Sequence, residues 1–229
     1  MAEKYDIRNA ECVIFDMDGV IFDSESVWKR AFVIANEAFG LDLTEADRQR
    51  TCGMDEKSIR RGLYSRYPAV DIDAYRDRLL CEVRKITETD GARMKNGFSE
   101  IVSAVRSAGR KLALATSSDV DRARKLFAKN GLSDTDIFDA EVFGGEVNKG
   151  KPDPEIFLEA ARRAGVAPSG CIVIEDSPNG IEAAAKGGFI PIMAVDLIEA
   201  TDRERAVCAF VAGGLSEIAE FLIREWGTK

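Results

Sequence analysis

The chain has 229 residues, with 32 Lys+Arg against 40 Asp+Glu, a formal net charge of −8, and no histidine. The absence of histidine excludes Ser-His-Asp and Cys-His catalysis and zinc sites ligated by histidine. Acid–base chemistry near neutral pH must therefore use carboxylates, lysines, tyrosines or cysteines. The composition is 45% hydrophobic and 31% charged, as in a globular protein with a substantial core. An acidic chain without a Lys/Arg run disfavours nucleic acids and anionic membranes as partners.

The cysteines and the apolar runs indicate the compartment. The five cysteines are widely spaced and contain no Cys-x-x-Cys pair, which is typical of buried thiols under reducing conditions. The polar N-terminal segment does not resemble a signal peptide, and the longest apolar runs are far too short to span a membrane. We therefore expect a cytoplasmic protein, and the sequence leaves its oligomeric state open, a monomer included.

Five short apolar runs, bounded by turn residues, predict buried parallel strands. They are Cys12–Asp16, Lys111–Thr116, Asp139–Phe143, Cys171–Glu175 and Ile190–Val195. Apolar residues recur at helical spacing between and after these strands, as in the stretches beginning at Phe98, Ile156 and Leu215. Alternation of this kind predicts an α/β fold, a doubly wound parallel sheet with helices on both faces.

One stretch interrupts the alternation. Residues 24–94 contain amphipathic helix patterns and no convincing strand, and they are too long for a single crossover between strands. We interpret 24–94 as an inserted α-helical domain, and 1–23 with 95–229 as the two pieces of a Rossmann-like core.

Polar residues collect where the predicted strands end, which is where open α/β sheets bind ligands. The first strand is followed by Asp16-Met17-Asp18-Gly19, the second ends in Thr116-Ser117-Ser118, and the fourth ends in Glu175-Asp176. Lys151 lies in the loop after the third strand. Taken singly, each has an ordinary alternative: a serine at 117 or 118 can cap the following helix, and a lysine is often a solvated side chain.

Taken together, these residues favour a phosphate site. The four carboxylates, Asp16, Asp18, Glu175 and Asp176, would converge at one edge of the sheet, where like charges need a cation or protons to neutralise them. Hard oxygen ligands of this type suit Mg²⁺. The lysine and the hydroxyls nearby could hold the oxygens of a small phosphate ester.

The same residues carry a family resemblance. The segments FDMDGVIFDSE (15–25), LATSSD (114–119), GKPDPEIF (150–157) and VIEDSPNGIEAA (173–184) resemble, in order, the four motifs of the haloacid dehalogenase superfamily. The chain is similar to the branch that contains β-phosphoglucomutase and sugar-phosphate phosphatases, in which a helical cap is inserted after the first motif. The resemblance implies Mg²⁺-dependent hydrolysis of a small phosphate monoester.

The resemblance also implies roles for individual residues. Asp16 would be the nucleophile that forms an aspartyl-phosphate, and Asp18 the general acid/base. Its neighbours support this role, because an acid beside Asp16 and a phosphate dianion should have a raised pKa. Thr116 and Lys151 would hold the transferring phosphoryl group. Mg²⁺ would be held by Asp16, the main-chain carbonyl of Asp18, Asp176 and, directly or through water, Glu175.

Further positions are expected to contact the substrate. Around the phosphate these are Ser117 and Ser118. In the inserted domain they are Glu25, at its first boundary, with Gly53 and Glu56 in the segment that we expect to set specificity.

Two alternatives remain open at this point. A phosphotransferase of the β-phosphoglucomutase type needs a second phosphate site, for which Arg48, Arg50, Arg60 or Arg61 are candidates, although solvated helix faces are the more usual role of such arginines. A receiver-like phospho-acceptor domain also uses acids, a hydroxyl and a lysine, but it places its acidic pair before the phosphorylated aspartate. We favour the hydrolase.

Overall fold

In the computed structural model of the chain, the described residues are 5–51, 56–132 and 137–227. They form a sheet of six parallel strands in the order β3-β2-β1-β4-β5-β6. The strands are β1 (Cys12–Phe15), β2 (Lys111–Thr116), β3 (Ala140–Phe143), β4 (Cys171–Glu175), β5 (Ile190–Ala194) and β6 (Phe210–Ala212). The predicted α/β fold with a doubly wound parallel sheet is confirmed.

The sequence prediction did not include the edge strand β6. It pairs with β5 in the register Ile192↔Phe210 to Ala194↔Ala212. With three residues, it is too short for a periodicity to stand out, and its first two residues are only half-buried. The pairing is set by the position of β5, which a local sequence pattern does not contain.

The inserted stretch and the rest of the chain each contribute helices. Within 24–92 these are α1 (Ser24–Phe39), α2 (Glu45–Arg50), α3 (Glu56–Arg66) and α4 (Ile72–Thr89). The helices that accompany the sheet are α5 (Phe98–Ser107), α6 (Val120–Lys129), α7 (Glu155–Ala164), α8 (Pro178–Lys186), α9 (Asp202–Val207) and α10 (Leu215–Trp226).

The core lies on both faces of the sheet. On one face, residues such as Ile14 and Val173 pack with Phe157 of α7 and Ala183 of α8 in one buried cluster. On the other, the ring of Phe15 meets that of Phe98 on α5 edge to face, with 5.3 Å between centroids. Because both faces are covered, the central strands are continuously apolar rather than alternating.

The chain divides into two compact units. The described residues of Met1–Asp23 and Arg93–Lys229 form one, and those of Ser24–Ala92 form the other. The second unit is helical, and its interior includes Tyr75, whose hydroxyl donates a hydrogen bond to Asn36 Oδ1 at 2.9 Å. None of the helices in the described ranges is both long enough and apolar enough to cross a membrane.

Candidate active site

The parallel sheet places the ends of its central strands side by side. Asp16 directly follows β1, which lies between β2 and β4. Its backbone N–H donates to the carbonyl of Ile174 on β4 at 3.0 Å. Thr116 ends β2 and Glu175 ends β4, so both emerge at the same edge of the sheet as Asp16. The convergence expected from the sequence is therefore present.

Lys151 is tied to this edge by two carboxylates. Its Nζ lies 2.5 Å from Asp16 Oδ1 and 2.8 Å from Glu175 Oε1, and the three side chains are 10%, 8% and 2% exposed. The ammonium also lies 4.8 Å from the centroid of the Phe157 ring. Burial alone would lower the pKa of Lys151, but the charges of Asp16 and Glu175 outweigh it and raise the pKa above its usual range. Lys151 is thus a permanent buried cation beside Asp16.

Three carboxylates form an acidic cluster. Asp16, Glu175 and Asp176 each offer an oxygen, all within 4.8 Å of one another. Burial, with the charges of Glu175 and Asp18, raises the pKa of Asp16 to about 7 despite Lys151. Burial and the charges of Glu175 and Asp16 also raise the pKa of Asp176 well above its usual range. The three side chains offer only oxygen donors, which suit a divalent cation such as Mg²⁺, and a cation would offset the repulsion between their charges.

Asp18 has different surroundings. Both of its oxygens lie 2.6 Å from Arg122, Oδ1 from Nη2 and Oδ2 from Nη1, and the hydroxyl of Ser118 donates to Oδ2 at 2.7 Å. Burial favours the neutral acid, but the hydrogen bonds and charge of Arg122, with Ser118, outweigh it and lower the pKa of Asp18. This lowered pKa contrasts with the raised pKa that was expected for Asp18 beside Asp16 and a phosphate dianion, because the expectation did not include Arg122. The sequence interpretation omitted Arg122, whose only signal was its place one helical turn after Ser118.

The hydroxyl residues after β2 have separate positions. Thr116 is almost fully buried, and its Oγ1 accepts a hydrogen bond from the N–H of Ser118 at 3.1 Å. Ser117 is exposed, and its carbonyl lies against Gly144, where a Cβ would come within 2.2 Å of that oxygen. Neither serine caps α6, because that position is taken by Asp119, whose carboxylate accepts from Arg122 N–H.

The positions expected to contact substrate from the inserted stretch are only partly described. Glu25 is buried on α1, and its carboxylate pairs with Arg48, which is also buried and bonds Glu45 as well. Gly53 lies outside the described residues. Glu56 begins α3, but its side chain also lies outside the described part. The substrate contacts of these three residues stay predictions.

The sequence of motifs and the geometry of this edge agree with a family model. The model for haloacid dehalogenase-like hydrolases matches residues 10–188, which include every residue of the sheet edge described above. The chain belongs to this family.

Relatives in the family include named phosphatases. The chain is 35% identical over 189 residues to a phosphorylated carbohydrates phosphatase of Thermotoga maritima, covering 81% of this chain and 85% of that protein. It is 28% identical to hexitol phosphatase B of Escherichia coli K12, over 95% and 97% of the two chains. A solved structure described as a "putative beta-phosphoglucomutase" from Thermotoga maritima has a TM-score of 0.76 and 31% identity, over 93% of this chain and 99% of that one. A hydrolase of this family is an enzyme, so the receiver-like alternative is wrong.

Proposed function

We propose that this haloacid dehalogenase-like hydrolase is a Mg²⁺-dependent phosphatase that hydrolyses a phosphorylated sugar or sugar alcohol through an aspartyl-phosphate. The observation that carries the proposal is the buried Asp16, which pairs with Lys151 and belongs to the acidic cluster, with Asp18 two residues further along the same loop. The relatives named above act on phosphorylated carbohydrates and hexitol phosphates, which supports the substrate class.

The chain's own residues take part in both halves of the reaction. Asp16 attacks phosphorus and becomes the phosphorylated group as the bond from phosphorus to the sugar oxygen breaks, and Asp18, in its protonated form, gives a proton to that oxygen. Asp18 then takes a proton from the water that attacks the aspartyl-phosphate, which releases phosphate and restores Asp16. Lys151 and Thr116 hold the phosphoryl oxygens and offset their charge in the transition state.

Asp16, Glu175 and Asp176, with the main-chain carbonyl of Asp18, are the residues that would hold the metal. When bound, Mg²⁺ would offset the charge of the phosphoryl group beside these carboxylates. The donor set fits this ion because its side chains offer only oxygen and lie within 4.8 Å of one another, and because burial and the neighbouring carboxylates make the charged forms of Asp16 and Asp176 costly without a cation.

The charges of the inserted helices favour a hydrolase over a mutase. A phosphoglucomutase must bind a second phosphate, yet Arg48 is paired with Glu25 and Glu45, Arg50 with Asp47, and Arg60 with Asp73. Three of the four arginines considered for that site therefore have carboxylate partners.

The cytoplasmic location and the small-molecule partner stay predictions.

The decisive experiment compares wild type with Asp16→Asn on a panel containing p-nitrophenyl phosphate, glucose 1-phosphate, glucose 6-phosphate and a hexitol phosphate. We expect phosphate release by the wild type with Mg²⁺, and background rates for Asp16→Asn and for the wild type in EDTA. Asp121→Asn, an exposed aspartate on α6, serves as the matched control and should keep full activity.

Two results would contradict the proposal. Phosphate release by Asp16→Asn would show that Asp16 is not the nucleophile. Full activity of the wild type in EDTA would show that the reaction does not need Mg²⁺. Conversion of glucose 1-phosphate to glucose 6-phosphate, stimulated by glucose 1,6-bisphosphate, would replace the phosphatase by the mutase.

A further inference from the structure

Arg122 holds the second aspartate of the Asp16-Met17-Asp18 sequence in a closed set of hydrogen bonds. Its guanidinium meets both oxygens of Asp18 at 2.6 Å, and Nη1 also donates to Ser118 Oγ, whose own proton is given to Asp18. A two-point guanidinium–carboxylate pair fixes the plane and rotation of the carboxylate as well as its position. The third bond, from Ser118, links both partners to the loop after β2.

This pair differs from a surface ion pair. The side chains of Arg122 and Asp18 are only 22% and 32% exposed, and the two residues are 104 apart in the sequence. The pair therefore joins the first turn of α6 to the loop after β1. Exposed pairs between neighbours on a helix lack this cross-connection and contribute little.

Helix stability does not explain an arginine at this position. Arg122 is the third residue of α6, in its first turn, where the positive end of the helix dipole disfavours a cation. Its N–H is already satisfied by the cap residue Asp119. The carboxylate of Asp18 is the group that accounts for the placement of the side chain.

We propose that Arg122 is a positioning residue that, with Ser118, sets the orientation of the Asp18 carboxylate for proton transfer at the leaving oxygen and at the attacking water. The inference rests on the proposed function, because it assigns Asp18 the acid/base role. Proton transfer needs a heavy-atom distance within hydrogen-bond reach, so an aspartate free to rotate spends less time in a productive position.

The residue acts through Asp18 and not on the phosphoryl group itself. Lys151 and Thr116 are the groups assigned to phosphoryl binding, and neither bonds the guanidinium directly. Lys151 bonds Asp16 and Glu175, and Thr116 accepts from the backbone N–H of Ser118, whereas Arg122 meets only the hydroxyl of Ser118. Loss of the guanidinium should therefore leave substrate affinity nearly unchanged and lower the rate of the chemical steps.

The chain offers a matched control on the same helix. Arg124 lies two residues along α6 and makes an equally two-pointed pair with Glu141, at 2.8 and 2.6 Å. Arg122→Met and Arg124→Met thus remove the same kind of side chain and the same kind of ion pair from one helix. They differ in whether the carboxylate partner is Asp18.

The experiment measures kcat and KM for the wild type, Arg122→Met, Arg122→Lys, Arg124→Met, Asp18→Asn and the double variant Arg122→Met/Asp18→Asn. The substrate is the sugar phosphate of the panel above that the wild type hydrolyses fastest. We expect Arg122→Met to lower kcat by about 10- to 100-fold with KM little changed, as when a catalytic group is misplaced by about 1 Å. Arg122→Lys should recover part of the loss, and Arg124→Met should match the wild type.

The double variant decides whether the effect passes through Asp18. If it does, Arg122→Met lowers kcat no further in the Asp18→Asn background. A full additional loss there, a raised KM with unchanged kcat, or wild-type kinetics for Arg122→Met would each overturn the positioning role.

The experiment distinguishes a failure of the positioning role from a failure of the proposed function. An active wild type with an equally active Arg122→Met overturns the positioning role alone. A wild type that releases no phosphate from any member of the panel overturns the proposed function and the positioning role with it. Melting temperatures, together with Mg²⁺ binding by calorimetry, identify a variant that has lost its fold, and in that case Arg122→Lys carries the comparison.

Discussion

Two glycines stand directly against the carboxylates of the acidic cluster. A Cβ on Gly19 would lie 2.1 Å from Asp176 Oδ2, and one on Gly180 would lie 1.9 Å from Glu175 Oε1. Gly19 also has φ of +78°, which other residues adopt only with strain. Glu175 has little room to move, because its oxygens are bonded by Lys151 and by the N–H of Ser177. The cluster depends on these glycines as well as on the acids.

Gly180→Ala tests this packing. We expect Mg²⁺ binding, measured by titration calorimetry, to weaken by about 10-fold or more, as when a partner of a metal ligand is disturbed. Gly62→Ala is the control. Gly62 also lies in a helix, but a Cβ at this position would have no atom within 4 Å. That change should stabilise the protein by about 0.5–1 kcal/mol and leave Mg²⁺ binding intact. Equal Mg²⁺ affinity in both variants would show that the Glu175 side chain can shift to accommodate the added methyl group without loss of metal binding.

At the scale of elements, the residues that cap the helices determine which polar side chains are free to enter the site. Asp119 caps α6 and Ser177 caps α8, each accepting a backbone N–H of the first turn. Ser177 is followed by Pro178 in the first turn of α8, a common helix start, whereas the sequence left Ser117 and Ser118 as candidates for the cap of α6. Because Asp119 takes that position, the hydroxyl of Ser118 is available to Asp18. A choice of cap thus affects the composition of the site.

The cap of α4 gives a test of helix energetics in the inserted stretch. Asp71 accepts a hydrogen bond from Ala74 N–H at 2.9 Å. Asp71→Ala should lower the free energy of unfolding by about 1 kcal/mol, because it leaves that N–H without its side-chain acceptor. Asp71→Asn keeps the acceptor and should be nearly neutral. Urea unfolding followed by circular dichroism measures both, and equal losses in the two variants would point to the charge of Asp71 instead of the cap.

At the scale of the whole molecule, the covered sheet isolates two of the free thiols. Cys12 on β1 and Cys171 on β4 lie opposite each other in register, and both are within the core cluster. The hydrogen bond with Cys171, together with burial, raises the pKa of Cys12 far above its usual range. Cys81, on α4, is exposed. Since the thiolate is the reactive form, the fold separates inert from reactive cysteines.

Alkylation with iodoacetamide, mapped peptide by peptide, tests this separation. Cys81 should react promptly in the folded protein, while Cys12 and Cys171 should react at least about 10³-fold more slowly, through global unfolding. In urea all three should react alike. Rapid labelling of Cys12 without denaturant would mean that the β1–β4 pair opens locally.

Much of the sheet edge could be predicted from the sequence. Asp16, Thr116 and Glu175 each end or follow an apolar run, and parallel strands bring such ends to one edge whatever the details of packing. Lys151 was expected near this edge because it lies in the loop after the third strand, but its pairing with Asp16 and Glu175 was not predicted. The three-residue β6 and the surroundings of Asp18 carried no comparable local signal.

The sequence by itself determined the chemistry available to this protein: no histidine, an excess of acid, and aspartates at the ends of buried strands. These features depend on composition and on short continuous apolar runs, which are local properties. Only the tertiary structure decided which charge meets which. Arg122 reaches Asp18 across 104 residues, and Arg48 reaches Glu25 within the inserted helices. A long charged side chain pairs with whichever opposite charge the backbone brings within its reach. The position of the backbone is determined by the packing of the whole chain.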